Sequence, residues 1–165
     1  MNILNLNKYN HVALGGTFDV LHIGHLHLLK ESFKVGNFVT IGITSDDFVR
    51  TRLNKKIMNP YPIRVQNMRK FIEKEIKIND YNKYEITTLN ENFGPLMTSN
   101  KIECLIVSSE TEEKGKTINH IRSEKGLPII DIITVKLVLA EDGRPISSSR
   151  IRSNEIDTNG FKINN

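Results

Sequence analysis

The chain has 165 residues, 38% of them apolar and 25% charged, a composition that suits one globular domain with a sizeable core and holds no run near the about 20 apolar residues of a membrane-spanning helix. Its 23 basic and 19 acidic residues give a net charge of +4, yet residues 48–77 alone hold nine basic side chains against Glu73 and Glu75. So concentrated a positive field implies an anionic ligand; bulk charge does not choose among nucleic acid, an anionic membrane surface and a small polyphosphate. The polar start, residues 1–10, lacks the apolar stretch of a secretory signal, and the single Cys104 lies in the apolar run 104–107. Both point to a cytoplasmic protein, and one thiol permits neither an internal disulfide nor a cysteine metal site.

In chain order, residues 11–15 (HVALG) read as a short buried strand, and Leu26, Leu29 and Phe33 stand at helical spacing over 24–35. Residues 38–44 (FVTIGIT) suit a strand buried on both faces, with Ser45 or Asp46 as an N-cap for a short helix. After the break at Asn59-Pro60-Tyr61-Pro62, Val65, Met68, Phe71, Ile72 and Ile76 form the apolar stripe of a helix over 63–78, whose other face carries cations. Residues 84–89 (YEITTL) and 104–107 predict a third and a fourth strand, and a helix follows from about Thr111 to the stop at Gly126-Leu127-Pro128. A fifth strand, straight or bent, spans 129–139; Ser147-Ser148-Ser149 opens a last short helix, and a polar tail begins at about Asp157. Strands alternating with helices, without repeats or linkers, predict a single domain over 1–165. Its expected fold is α/β and Rossmann-like: a doubly wound, mostly parallel five-stranded sheet with helices on both faces and ligands at the carboxyl ends of the strands.

The chemistry concentrates at two places. The first strand runs into Gly15-Gly16-Thr17-Phe18-Asp19-Val20-Leu21-His22-Ile23-Gly24-His25, after which a helix begins. The glycines let the backbone pass close to a bound group, Thr17 offers a hydroxyl, and two imidazoles meet free N–H groups at a helix start; the set suits a phosphate. Zinc fits less well, because His25 and His27 point to different helix faces and no cysteine is near; His27 is expected to face outward. Near the other end, Ile146-Ser147-Ser148-Ser149-Arg150-Ile151-Arg152 opens a helix with three hydroxyls, and Arg152 adds a fork for phosphate oxygens. Asp19 and Asp46 lie nearby and read first as cap or turn residues.

His22-Ile-Gly-His25 after Gly-Gly-Thr-Phe-Asp, with Ile146-Ser-Ser-Ser-Arg-Ile-Arg152 about 120 residues later, resembles the nucleotidyltransferase superfamily with its HxGH and ISSTxxR signatures. Over nearly the whole chain, through Gly42-Ile-Thr-Ser-Asp46, Val107-Ser-Ser-Glu-Thr111, Asn119 and Arg122, it is similar to phosphopantetheine adenylyltransferases of archaeal and eukaryotic type. It departs from the bacterial enzymes, which often carry Thr where His22 stands and have an Arg-Gly-rich segment that is missing here.

The resemblance implies transfer of the adenylyl group of ATP to 4′-phosphopantetheine, giving dephospho-coenzyme A and pyrophosphate, with Mg²⁺ accompanying ATP rather than held in a protein cage, and a monomer. It gives His25 and His22 to the ATP phosphates, Thr17 to the phosphopantetheine phosphate, and Lys56, with Lys55 as competitor, to a bridge between the two phosphates. Ser147, Ser148, Ser149 and Arg152 would hold the β- and γ-phosphates, Gly15 and Gly16 would border the nucleotide, and Arg64 and Arg122 would contact substrate. The end motifs also admit another transferase of the superfamily, such as a cytidylyltransferase acting on a small phosphorylated alcohol. A nucleic-acid module is disfavoured because only Phe48, Tyr61 and Phe71 interrupt the basic segment. A non-catalytic nucleotide binder is disfavoured because both histidines and Arg152 are present.

Overall fold

The computed structural model describes residues 7–164; residues 1–6, and with them most of the polar start, lie outside the described residues. Five strands form one sheet in the order β3-β2-β1-β4-β5. They are β1 (Tyr9–Gly16), β2 (Gly36–Thr44), β3 (Tyr84–Leu89), β4 (Cys104–Ser108) and β5 (Asp131–Val135), and every pairing is parallel. The chain winds outward from β1 through β2 to β3, then crosses back to β4 and winds the other way to β5. The carboxyl ends of β1 and β4 therefore part at a switch point, where an open α/β sheet makes its crevice.

Side-chain alternation explains why both faces are covered. Val12, Leu14, Ile41, Ile43, Cys104 and Ile106 project to one face, against Leu29 of α1 (Ile23–Val35) and Met68 of α3 (Tyr61–Phe71). Ala13, Leu105 and Val107 project to the other, against Ile118 of α4 (Glu112–Glu124) and Leu96 of a 3₁₀ turn, Gly94–Met97. Each fully buried aliphatic side chain contributes about 1.5–3 kcal/mol of burial free energy, so this two-sided packing dominates the fold. α3 starts at Tyr61, two residues before the expected 63, because Pro62 is tolerated in its first turn, and it continues as a wider-wound segment, Ile72–Ile76. Ser45 caps the short α2 (Asp46–Phe48), its hydroxyl accepting the Phe48 N–H at 3.1 Å.

Two stretches differ from expectation. The fifth strand stops at Val135 rather than reaching 139: the chain then turns back on itself, Leu139 bridging Pro145, and Ala140, Ile146 and Ile156 form a small separate core. The segment from Asp157 is no free tail. Ile23 N–H donates to the Thr158 carbonyl, Glu141 N–H to that of Gly160, and a side chain at Gly160 (φ +87°) would run into Ile146 and Ala140. This closing turn fixes α5 (Ser148–Arg152) from behind, where Arg150 pairs with Asp142 and Glu155.

Candidate active site

After β1 the chain turns through Thr17, Phe18 and Asp19 into α1. Phe18 sits at φ +51°, a left-handed conformation that costs a non-glycine residue about 1–2 kcal/mol. Its ring is buried and meets that of His25 edge-on, with centroids 5.1 Å apart. The turn directs Asp19 inward, where it is 3% exposed.

The two histidines form the N-terminal cap of α1. His22 Nδ1 accepts the Gly24 N–H at 3.1 Å, and the His22 N–H donates to His25 Nδ1 at 3.4 Å. The rings stack with centroids 3.8 Å apart. Gly24 is required between them, because a Cβ there would lie 2.9 Å from the His22 ring. Burial pushes the His22 imidazole down to about 4, and burial followed by the charge of its neighbour pushes His25 well below the ordinary value. Both rings are neutral at pH 7. With each Nδ1 used as an acceptor, the remaining proton of each sits on Nε2, so each ring has one N–H left to donate to a ligand.

On the facing side, Ser147 caps α5, its hydroxyl oxygen accepting the Arg150 N–H at 3.2 Å. Ser148 behaves differently from its neighbours: its hydroxyl donates to the Val20 carbonyl at 3.0 Å and ties the two loops together across 128 residues. The Ser147 and Ser149 hydroxyls and the free N–H groups of the helix's first turn are thus left to meet a ligand. Arg152 lies across this turn, Nη1 on Asp19 Oδ2 at 2.8 Å and Nη2 on Ser149 Oγ at 3.0 Å, with the rest of its five donors available.

Two cavities open here. One, of about 410 Å³, is lined by His22, His25, Lys55, Lys56, the three serines and Arg152, and closed at the rim by 135–138. The other, of about 310 Å³, runs over the small residues Ala13, Gly15, Gly16 and Gly42 and is walled by Leu89, Phe93, Leu96 and Leu105. They share Thr17, Phe18, His25, Leu28, Lys55 and Ser108. The Thr17 hydroxyl accepts from Thr44 at 3.2 Å, leaving its proton for a ligand. Lys55 borders both cavities, Lys56 only the first. Phe93 and Thr44 as cavity residues were not legible from spacing, because Thr44 ends β2 and Phe93 follows β3, and only the fold brings the two together. His27 is exposed on the far side of α1, as expected.

Two predicted substrate contacts are corrected. Arg64 is fully buried, donating to the carbonyls of Asn59 (3.0 Å) and Thr17 (2.7 Å) and to Asp46 (2.7 Å). Arg122 is fully buried on the opposite side of the sheet from α3, donating to the carbonyls of Pro128, Leu96 and Ser99. Both brace loops, and neither lines a cavity of the site. Among the described residues no three His, Cys, Asp or Glu side chains converge as a metal cage, and no helix is long and apolar enough to cross a membrane.

A family model described as cytidylyltransferase-like matches residues 13–154, which contain both the histidine and the serine motifs and the whole sheet from Ala13 onward. The chain belongs to the cytidylyltransferase-like family. Within it, the chain is 42% identical over 156 residues to a phosphopantetheine adenylyltransferase of Methanothermobacter thermautotrophicus, covering 94% of this chain and 91% of that one. It is 40% identical over 153 residues to a phosphopantetheine adenylyltransferase of Thermococcus kodakarensis, covering 93% and 90%. Among solved structures, a protein of unknown function from Archaeoglobus fulgidus superposes with a TM-score of 0.66 and 36% identity, covering 76% of this chain and 88% of that one.

Proposed function

We propose that this cytidylyltransferase-like enzyme transfers the adenylyl group of ATP to 4′-phosphopantetheine, releasing pyrophosphate and forming dephospho-coenzyme A. The observation that carries this reading is the meeting of a polar, anion-binding cavity with an apolar cleft at Thr17, His25 and Lys55. An adenylyl donor fits the first: triphosphate against the serines and Arg152, base toward 135–138. A long, largely uncharged arm ending in a phosphate fits the second, with that phosphate at the junction beside Thr17.

The acceptor phosphate oxygen attacks the α-phosphorus of ATP in line, and the bond to the bridging oxygen breaks. No general base is needed, since the attacking phosphate is already ionised at neutral pH. The protein aligns two mutually repelling anions and stabilises the charge that builds between them. His25 donates its Nε2–H to the α-phosphate and His22 to the neighbouring phosphate. Ser147, Ser149 and Arg152 hold the departing pyrophosphate. The position of Lys55 on both cavities favours it over Lys56 as the bridge between the reacting phosphates. Mg²⁺ bound to the ATP phosphates would neutralise part of their charge. A monomeric working unit belongs to this reading, and the buried, unpaired Cys104 suits the reducing cytoplasm.

Pyrophosphate release with Mg²⁺ and ATP, with and without 4′-phosphopantetheine and against CTP, tests the assignment. Release that needs ATP and phosphopantetheine together is expected. Turnover of CTP without ATP turnover would overturn it.

A further inference from the structure

We propose that Asp19 is a positioning residue for the transfer step, acting through the lysine loop and Arg152; the proposal rests on the function assigned above. Its carboxylate receives four donors from two distant parts of the chain. The Met58 N–H (2.8 Å) and Arg152 Nη1 (2.8 Å) meet Oδ2, and the Asn59 N–H (2.9 Å) and side-chain amide (3.4 Å) meet Oδ1. The Asn59 amide also donates to the Asp19 carbonyl at 2.9 Å. A buried carboxylate satisfied in this way has no capacity left for a ligand, so it acts on its neighbours.

Those neighbours carry the cations. Lys55 and Lys56 are exposed and stand between a left-handed Asn54 (φ +48°) and the Met58-Asn59 pair that Asp19 holds. Arg64 completes the clamp from behind, gripping the Asn59 carbonyl, the Thr17 carbonyl and Asp46, which itself accepts the Tyr61 N–H. The loop with the lysines and the turn with Thr17 are thereby fixed to one another. On its other side Asp19 holds the Arg152 guanidinium, which also donates to Ser149 and lines the cavity with the serines. The left-handed backbone at Phe18 is what brings the carboxylate to this point. A lysine displaced by about 1 Å from the reacting phosphates costs on the order of 100-fold in rate, so anchoring the loop is a catalytic requirement although Asp19 touches no substrate.

Asp19→Asn keeps the side-chain volume but turns an N–H toward the Oδ donors. Amide hydrogen exchange of Met58 and Asn59 is expected to accelerate at least about tenfold, with Leu14 and Ile41 unchanged; this readout stands whether or not the assigned reaction is correct. In the transfer assay, kcat should fall about 30- to 100-fold through the lysine loop, and the KM for ATP should rise several-fold through Arg152. In the double variant with Lys55→Ala, the loss in kcat should be no more than about threefold beyond that of Lys55→Ala alone, because both act on one step. Should Asp19→Asn not fold, Asn59→Ala removes the two side-chain ties to Asp19 and leaves the carboxylate, and is expected to speed exchange at Met58 and lower kcat about three- to tenfold. Unchanged exchange at Met58 and Asn59, or losses that multiply in the double variant, would overturn the proposal. Faster exchange in an enzyme whose wild type does not adenylylate phosphopantetheine would uphold the clamp and overturn the substrate assignment instead.

Discussion

The neutral histidine pair makes stability depend on pH in a predictable window. In the unfolded chain a histidine protonates near 6.5, whereas His22 in the folded protein is held down to about 4 by burial. Below pH 6.5 the unfolded state binds a proton that the folded state refuses, so stability is full above pH 6.5 and is lost as pH falls toward 4. For His22 alone the loss at pH 5 is about 2 kcal/mol, and it approaches about 3 kcal/mol below pH 4. His25, depressed by the same burial and by the charge of its neighbour, adds to the loss. The interval from pH 6.5 to 5 isolates the histidines, because the depressed carboxyls, Asp46, Asp142 and Glu155, start from ordinary values of 3.8 to 4.5 and lose their contribution at lower pH. Urea unfolding at half-unit steps should show a slope in the wild type that is markedly shallower in His22→Ala, and saturating ATP, whose phosphates favour charged imidazoles, should flatten it further. Parallel slopes for wild type and His22→Ala would refute the neutral-pair account.

Other outcomes follow from the same geometry. His25→Ala should lower kcat by about 10²- to 10³-fold with little change in either KM, as measured by steady-state pyrophosphate release, because the contact gains strength only as charge develops. Lys55→Ala should lower kcat far more than Lys56→Ala in the same assay, and the reverse order would return the bridge to Lys56. Arg122→Ala should reduce stability by about 1–3 kcal/mol in urea unfolding, since the buried Leu96 carbonyl and the half-buried carbonyls of Pro128 and Ser99 lose their donor, while leaving the KM of the residual folded enzyme for ATP unchanged.

The sheet was legible because the buried β1, β2 and β4 are short, largely apolar runs, while β3 alternates and is predicted at its observed ends. The two helix-opening motifs were legible because their geometry is local: each is a strand or loop leading into a helix start within a few residues. What escaped was whatever depends on a contact between segments. Arg64 and Arg122 look like other cations in sequence, and only tertiary burial against carbonyl oxygens shows that they brace loops. Asp19 reads as a turn residue, and so it is, but its partners Met58, Asn59 and Arg152 lie far along the chain. The closing turn at 157–162 is polar by composition, yet its glycine and carbonyls pack against the segment that precedes α5. The Lys55-Lys56 ambiguity is of the same kind, since adjacent lysines differ only in which cavity they border.

The switch between β1 and β4 explains why motifs at opposite ends of the chain serve one reaction. Winding in two directions from the central strands leaves the β1 turn and the β4 end on either side of one crevice, and the return of the chain after β5 brings the serine turn across it, secured by Ser148 on Val20 and Arg152 on Asp19. In the proposed reaction the donors nearest the α-phosphate would be the neutral imidazoles, while the full positive charges sit on Arg152, Lys55 and Lys56 at the edges of the cavity. Neutral donors interact modestly with a ground-state phosphate and gain as negative charge accumulates, whereas flanking cations supply much of the binding. Division of labour of this kind places transition-state stabilisation at His25 and anion capture at its periphery, which is why substitution of His25 is expected to act on kcat and substitution of Arg152 on the KM for ATP.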